Sequence, residues 1–180
     1  MKNKIINKKF IYLISPNRIK NNNFYKQLKD LFRTKKISFF QLRLKREKVK
    51  NKLIIGKKIK KICKKYKVNF LVNDDPLLSK KIDADGCHLG QKDMNIKEAR
   101  KILGKKIIGI TCHNSIKLAK KAIKAKADYI AFGAFNKTKT KKARYRASIR
   151  ILNQAKKLTN IPLVAIGGIN SENYKILLLN

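Results

Sequence analysis

The sequence predicts an α/β fold of the (β/α)8 barrel (TIM-barrel) type that stops before its eighth strand. Seven short apolar segments alternate with seven lysine-rich amphipathic segments. The apolar segments are typical of strands buried on both faces, which occur in parallel sheets. Polar residues follow the carboxyl ends of six of these segments. With 180 residues, 43% of them hydrophobic, the chain can bury a sizeable core in one domain.

The predicted elements follow one another without a linker. Apolar segments predict strands at residues 10–15, 38–42, 69–73, 86–89, 107–111, 129–132 and 163–166. Three- and four-residue apolar spacing predicts helices at 23–33, 48–65, 76–82, 96–103, 115–126, 147–158 and from 173 onward. Asn95 and Ser115 are suitable N-caps. We expect residues 1–180 to form a single (β/α) barrel domain whose C-terminal unit is missing.

A doubly wound open sheet is the alternative arrangement for this alternation of elements. The polar residues favour the barrel, because the loops after the strands of a barrel converge on one active site. These residues are Arg43, Lys45, Asn73, Asp74, Gln91, Asp93, Thr111, residues 138–141, Gly167 and Gly168.

Composition excludes several classes of protein. The formal charge is +37, but the 47 basic residues are spread along the whole chain and only eight of them are Arg. Because recognition of bases and phosphates favours Arg, we expect no specific nucleic-acid partner. No apolar run approaches a membrane span, and the N-terminus lacks a signal-peptide pattern, so we expect a cytoplasmic protein. The three cysteines lack CxxC spacing, so they indicate neither a disulfide framework nor a zinc knuckle. Cys87-His88 and Cys112-His113 could each offer only one zinc ligand, because adjacent residues of a strand point to opposite faces.

Carboxylates are scarce, and five of the ten acidic residues lie within residues 72–94. Asp74 and Asp93 are candidate ligands of Mg²⁺, which binds a few carboxylate oxygens and leaves its other positions to water and substrate phosphate. Asp75, Asp83 and Asp85 are better explained as turn formers or helix caps.

Three other segments carry groups that can bind phosphate. Gln41, Arg43 and Lys45 alternate along an extended segment and could clamp a diphosphate. Residues 138–141, Thr-Lys-Thr-Lys, offer hydroxyls and cations, and Gly167-Gly168 lets backbone N–H groups approach a phosphate closely. Two phosphate-bearing ligands and one metal, with no obvious nucleophile or hydride acceptor, indicate a reaction in which diphosphate leaves.

Seven motifs in order resemble the thiamine-phosphate synthase family. They are QLRLK at 41–45, VNDD at 72–75, ADGCHLGQKDM at 84–94, IGIT at 108–111, ADYIAFGAF at 127–135, TKTKK at 138–142 and VAIGGI at 164–169. The resemblance implies a Mg²⁺-dependent transferase on a (β/α)8 barrel. It would join hydroxymethylpyrimidine diphosphate to a thiazole phosphate and release diphosphate.

The same resemblance implies roles for individual residues. Arg43, Lys45 and Lys141 would be catalytic, since they would meet the charge on the leaving diphosphate. Asp74 and Asp93 would bind Mg²⁺. The pyrimidine diphosphate would contact Gln41, Arg43, Lys45, Asn73, Thr111 and Lys141, and the thiazole phosphate would contact Thr138, Thr140 and Gly168.

The sequence departs from the family pattern at two points, and two alternative functions stay open. The loop before Thr138 lacks the usual proline, and the chain ends at Asn180, where the family continues into an eighth strand, so we expect an incomplete thiazole-phosphate site. The alternatives are the related thiazole tautomerase, whose acid/base histidine His113 would match, and an inactive truncated homologue. The oligomeric state is not predicted.

Overall fold

The computed structural model describes residues 9–19, 21–138 and 145–179. In these ranges seven strands alternate with seven helices, as predicted. The elements are β1 (Ile11–Ile14), α1 (Asn23–Arg33), β2 (Ile37–Leu42), α2 (Val49–Lys65), β3 (Asn69–Asn73), α3 (Pro76–Ile82), β4 (Gly86–Leu89), α4 (Ile96–Leu103), β5 (Ile107–His113), α5 (Ile116–Lys124), β6 (Tyr129–Gly133), α6 (Ile149–Lys156), β7 (Leu163–Ile166) and α7 (Tyr174–Leu179).

The strands form one sheet in chain order, from β1 to β7. Pairing is parallel from β1 to β4 and from β5 to β7. The chain divides into two compact units. Of the described residues, the N-terminal unit comprises 10–19, 21–88 and 98–107, and the C-terminal unit comprises 9, 89–97, 108–138 and 145–179. Within each unit, the carboxyl ends of neighbouring parallel strands lie side by side, which places the loops that follow them along one edge.

Aromatic side chains form the centre of the N-terminal unit. Phe32, Phe40 and Phe70 are almost fully buried. The Phe40 ring lies 6.3 Å from that of Phe70, in a stacked arrangement, and 6.0 Å from that of Phe32, edge to face. These large apolar surfaces account for much of the stabilisation of the unit, since each buried aromatic ring removes a large area from water.

In the C-terminal unit β6 and most of β5 are buried, whereas β7 is mostly half-buried. All five residues of β6 are buried, and Ile108 and Ile151 are also buried on β5 and α6. This burial explains why the strand segments are continuously apolar, because a parallel sheet is covered on both faces.

Two aspartates, Asp85 and Asp128, each make the same pair of hydrogen bonds to the start of a neighbouring strand. The Asp85 carboxylate accepts a hydrogen bond from the Phe70 N–H at 2.8 Å, and the Asp85 N–H donates to the Phe70 carbonyl. Asp128 and Ile108 exchange the same two bonds. These carboxylates therefore stabilise the amino ends of the strands, whereas the predicted site residues follow the carboxyl ends.

Strand β5 is longer than predicted. It continues past Thr111 to His113, with a register irregularity, so that Thr111 pairs with Ala131 and His113 pairs with Phe132. His113 has a positive φ of 53°. A bulge of this kind changes the direction of the residues that follow it, which periodicity along the sequence does not indicate.

No helix within the described ranges is both long and apolar enough to cross a membrane.

Gly86 opens β4 where the backbone of a neighbouring segment passes closely. A Cβ at Gly86 would lie 2.0 Å from the Ile107 carbonyl oxygen, whereas a Cβ at Gly104, where φ is +58°, would meet nothing within 4 Å. We expect Gly86→Ala to lower the free energy of unfolding by about 2–3 kcal/mol, because the backbone must shift. Gly104→Ala should cost only about 1 kcal/mol, from the left-handed conformation. Urea unfolding measures both, and equal losses would contradict this packing argument.

Candidate active site

The end of β2 holds the first group of predicted site residues. Gln41 is buried, Arg43 is half-buried and Lys45 is exposed. The Arg43 guanidinium donates from Nη1 to the Asn17 Oδ1 at 2.6 Å, and the Arg43 N–H donates to the Ser15 hydroxyl at 2.8 Å. The loop after β1 therefore fixes both the backbone and the head group of Arg43.

The two cations of this segment have different partners. The Lys45 ammonium lies 2.7 Å from an Asp74 carboxylate oxygen, with the side chains 49% and 28% exposed. Arg43 makes no ion pair with any acidic residue in the described part of the chain. A half-buried guanidinium without a counter-ion is costly to keep in a protein, so this charge is available to an anionic ligand.

Asn73 is the last residue of β3 and Asp74 follows it, beside His88 of β4. Asn73 pairs in register with His88, and the Asp74 N–H donates to the His88 carbonyl at 2.7 Å. Asp74 has a positive φ of 65°. Burial lowers the pKa of His88 to about 4, against the opposing effect of the Asp74 charge. His88 is therefore neutral near pH 7 and adds no cation at this edge.

Three other aspartates of the 72–94 cluster are structural, as the sequence suggested. Asp75 caps α3 by accepting from the Leu78 N–H at 2.8 Å. Asp83 ends α3 in the left-handed conformation, where the Lys106 ammonium pairs with its carboxylate and lowers its pKa. Asp85 accepts from Phe70 and from the Lys60 ammonium.

Asp93 closes its own loop after β4. Its carboxylate accepts from the Gly90 N–H at 2.7 Å, and the Asp93 N–H donates to the Gly90 carbonyl. In the same unit the Gln91 amide donates to the Thr111 carbonyl at 2.6 Å. The loop that carries Asp93 is thereby tied to the end of β5, where Thr111 lies.

The glycine turn after β7 packs against the loop after β6. A Cβ at Gly168 would lie 2.3 Å from the Lys137 carbonyl oxygen, and Gly168 has a φ of +66°, so only glycine fits. Thr138 follows Lys137 directly, which brings two of the predicted phosphate contacts, Thr138 and Gly168, into one neighbourhood. Thr140 and Lys141 lie outside the described residues.

His113, the residue matched to the tautomerase, stacks on Tyr145, with ring centroids 4.5 Å apart. The contact joins the bulged end of β5 to the segment before α6.

Sequence reasoning missed Ser15 and Asn17. Ser15 was placed inside the predicted strand 10–15, whereas the observed β1 ends at Ile14. Asn17 lies beyond this strand, and its position after a strand end was a usable signal. Its contact with Arg43, 26 residues away, is a tertiary feature that spacing does not indicate.

Comparison with known proteins identifies the family. The family model of thiamine monophosphate synthase matches residues 11–179. The chain belongs to the thiamine monophosphate synthase family.

Individual relatives agree with this membership. A thiamine-phosphate synthase of Pelagibacter ubique is 68% identical over 180 residues, which cover 100% of this chain and 87% of the relative. A thiamine-phosphate synthase of Nitrosomonas eutropha is 43% identical over 79% of this chain and 68% of the relative.

A solved structure agrees as well. The thiamine phosphate pyrophosphorylase from Pyrococcus furiosus matches with a TM-score of 0.83 and 30% identity, over 97% of this chain and 82% of that chain. With the strand order β1 to β7, which lacks the reversal of a doubly wound sheet, this match confirms the predicted barrel-type fold.

Proposed function

We propose that this chain transfers a hydroxymethylpyrimidine group from its diphosphate to a thiazole phosphate, giving thiamine phosphate and diphosphate. Family membership supports the proposal, and so does one observation, the half-buried Arg43 that has no acidic partner in the described part of the chain. A cation held in place without a counter-ion is suited to a substrate anion. The ligands of the site would be small phosphorylated molecules.

The reaction breaks the carbon–oxygen bond between the pyrimidine methylene and the diphosphate. The bond electrons leave with the diphosphate, and the second substrate captures the cationic carbon. The negative charge that develops on the leaving group is the charge that cations can stabilise. Arg43, Lys45 and Lys141 are the proposed catalytic residues, with Gln41, Asn73 and Thr111 as further contacts of the same substrate.

The thiazole phosphate is proposed to bind at the glycine turn. Two observations support this assignment: Gly168 packs against the Lys137 carbonyl with no room for a Cβ, and Thr138 follows Lys137 directly in the chain. Thr140 is the third proposed contact, on the resemblance to the family alone. Backbone N–H groups that a side chain would block can approach a phosphate closely.

Mg²⁺ is proposed as the cofactor, held by Asp74 and Asp93. Across the described ranges no group of three or more His, Cys, Asp or Glu is placed to hold a metal. The two hard carboxylates nevertheless fit Mg²⁺, which commonly binds one or two carboxylates and completes its sphere with phosphate and water. When bound, the ion would neutralise charge on the diphosphate.

Asp74 and Asp93 already engage protein donors in this structure. Lys45 contacts one Asp74 oxygen, and the Gly90 N–H contacts one Asp93 oxygen. We therefore expect Lys45 to leave Asp74 when the metal and the diphosphate bind, which would direct its ammonium to the phosphate.

We also propose that residues 1–180 act as one barrel domain in the cytoplasm. Three buried cysteines that form no disulfide within the described residues support a reducing compartment. If the two compact units belong to one domain, urea should unfold them in a single transition, with fluorescence and circular dichroism coinciding. Two separated transitions would contradict the single domain and leave the proposed activity unaffected.

A further inference from the structure

Three hydrogen bonds join the loop after β1 to the end of β2. The Ser15 N–H donates to the Gln41 carbonyl at 2.9 Å, the Arg43 N–H donates to the Ser15 hydroxyl at 2.8 Å, and the Arg43 guanidinium donates to the Asn17 amide oxygen at 2.6 Å. Ser15 is only 7% exposed. The first two bonds fix the backbone, and the third alone fixes the direction of the guanidinium.

The acceptor at Asn17 is neutral, in contrast to the ion pairs around it. The next residue, Arg18, pairs with the Glu47 carboxylate at 3.0 Å, and Lys45 pairs with Asp74. A carboxylate at position 17 could accept the same hydrogen bond, but it would cancel the charge of Arg43. An amide oxygen accepts without carrying a charge, so the guanidinium keeps its full attraction for an anion.

We propose that Asn17 is a positioning residue that orients Arg43 toward the diphosphate of the substrate while leaving its charge uncompensated. The inference rests on the proposed function, because it assigns the anion to Arg43. A long arginine side chain loses rotamer freedom when it binds a ligand, and a side chain held beforehand loses less. Asn17 therefore acts on the affinity for the anion through Arg43, without a contact of its own to the substrate.

The test compares the affinities of purified variants for inorganic diphosphate, measured by calorimetry with MgCl2 present. Asn17→Ala should weaken binding about three- to tenfold, the loss expected from one hydrogen bond. Asn17→Asp should weaken binding at least as much, although it keeps an acceptor, and its thermal midpoint should equal or exceed that of the wild type. A role in stability alone would not move binding and stability in opposite directions.

Asn51→Ala is the matched control. Asn51 lies on α2 and donates to Glu47 at 3.2 Å, so the same substitution removes a nearby hydrogen bond that does not involve Arg43. Its affinity for diphosphate should equal that of the wild type. In the double variant of Asn17→Ala and Arg43→Ala, binding should be no weaker than in Arg43→Ala alone, because Asn17 acts only through Arg43.

The outcomes separate this inference from the proposed function. If Arg43→Ala weakens diphosphate binding but Asn17→Ala behaves like Asn51→Ala, the role of Asn17 is wrong and the proposed function stands. Wild-type affinity in Asn17→Asp would refute the argument from charge. If Arg43→Ala itself binds diphosphate like the wild type, the diphosphate assignment fails, and the inference fails with it.

Discussion

We expect Arg43→Ala to lower kcat by about two to three orders of magnitude, the usual effect of removing one donor that stabilises charge in a transition state. Arg43 has no acidic partner among the described residues, so its charge is not already neutralised by the protein. Loss of kcat as well as of kcat/KM would indicate an interaction that strengthens as the diphosphate leaves. Steady-state kinetics with both phosphorylated substrates provides the measurement.

Arg46→Ala is the matched control, because it removes the same side chain from the same loop at an exposed position. It should retain nearly wild-type kcat. Arg43→Lys should fall between the two, since it keeps the charge but loses the planar fork that Asn17 holds. If the loss in Arg43→Ala were confined to the KM for the thiazole phosphate, the role assigned to Arg43 would be wrong.

Asp74→Asn and Asp93→Asn should each lower activity by about a hundredfold, or roughly 3 kcal/mol of transition-state stabilisation. A neutral amide is a poor ligand for a hard cation. Asp93→Asn keeps an oxygen that can accept from the Gly90 N–H, so the loop should survive. Activity is measured as a function of Mg²⁺ concentration.

Asp83→Asn is the control for both variants. Asp83 belongs to the same cluster, its side chain is 85% exposed, and its left-handed backbone conformation is one that asparagine accepts. This variant should keep its activity. Wild-type activity of Asp74→Asn or Asp93→Asn at limiting Mg²⁺ would contradict the metal assignment.

The ion pair between Lys45 and Asp74 leads to a second prediction for Asp74→Asn, which concerns the binding of inorganic diphosphate. Asp74→Asn leaves the Lys45 ammonium without its carboxylate partner, so inorganic diphosphate should bind this variant at least as well as the wild type when no metal is present. Added Mg²⁺ should then strengthen binding less than it does in the wild type.

Much of the fold follows from local pattern, because buried parallel strands and amphipathic helices have different periodicities. The predicted cap at Ser115 is present, where the hydroxyl accepts from the Leu118 N–H. The extension of β5 to His113 was not predicted, since a bulge depends on pairing with β6 rather than on the strand's own sequence.

The candidate site was predictable in its residue types but not in its contacts. The scarcity of carboxylates pointed to residues 72–94, and local turn and cap patterns then separated Asp75 and Asp83 from Asp74 and Asp93. The pairing of Lys45 with Asp74, and the bond between Asn17 and Arg43, join loops that are distant in the chain. Only the sheet order brings such loops together, so no spacing rule could assign them.

The direct test of the central claim is to incubate the purified protein with hydroxymethylpyrimidine diphosphate, hydroxyethylthiazole phosphate and Mg²⁺ and to quantify thiamine phosphate. We predict thiamine phosphate and diphosphate in equal amounts, with formation that depends on Mg²⁺ and is largely lost in Arg43→Ala. The Pelagibacter ubique relative, assayed in parallel, verifies the conditions. If that relative forms thiamine phosphate while this protein forms none, the proposed function is contradicted.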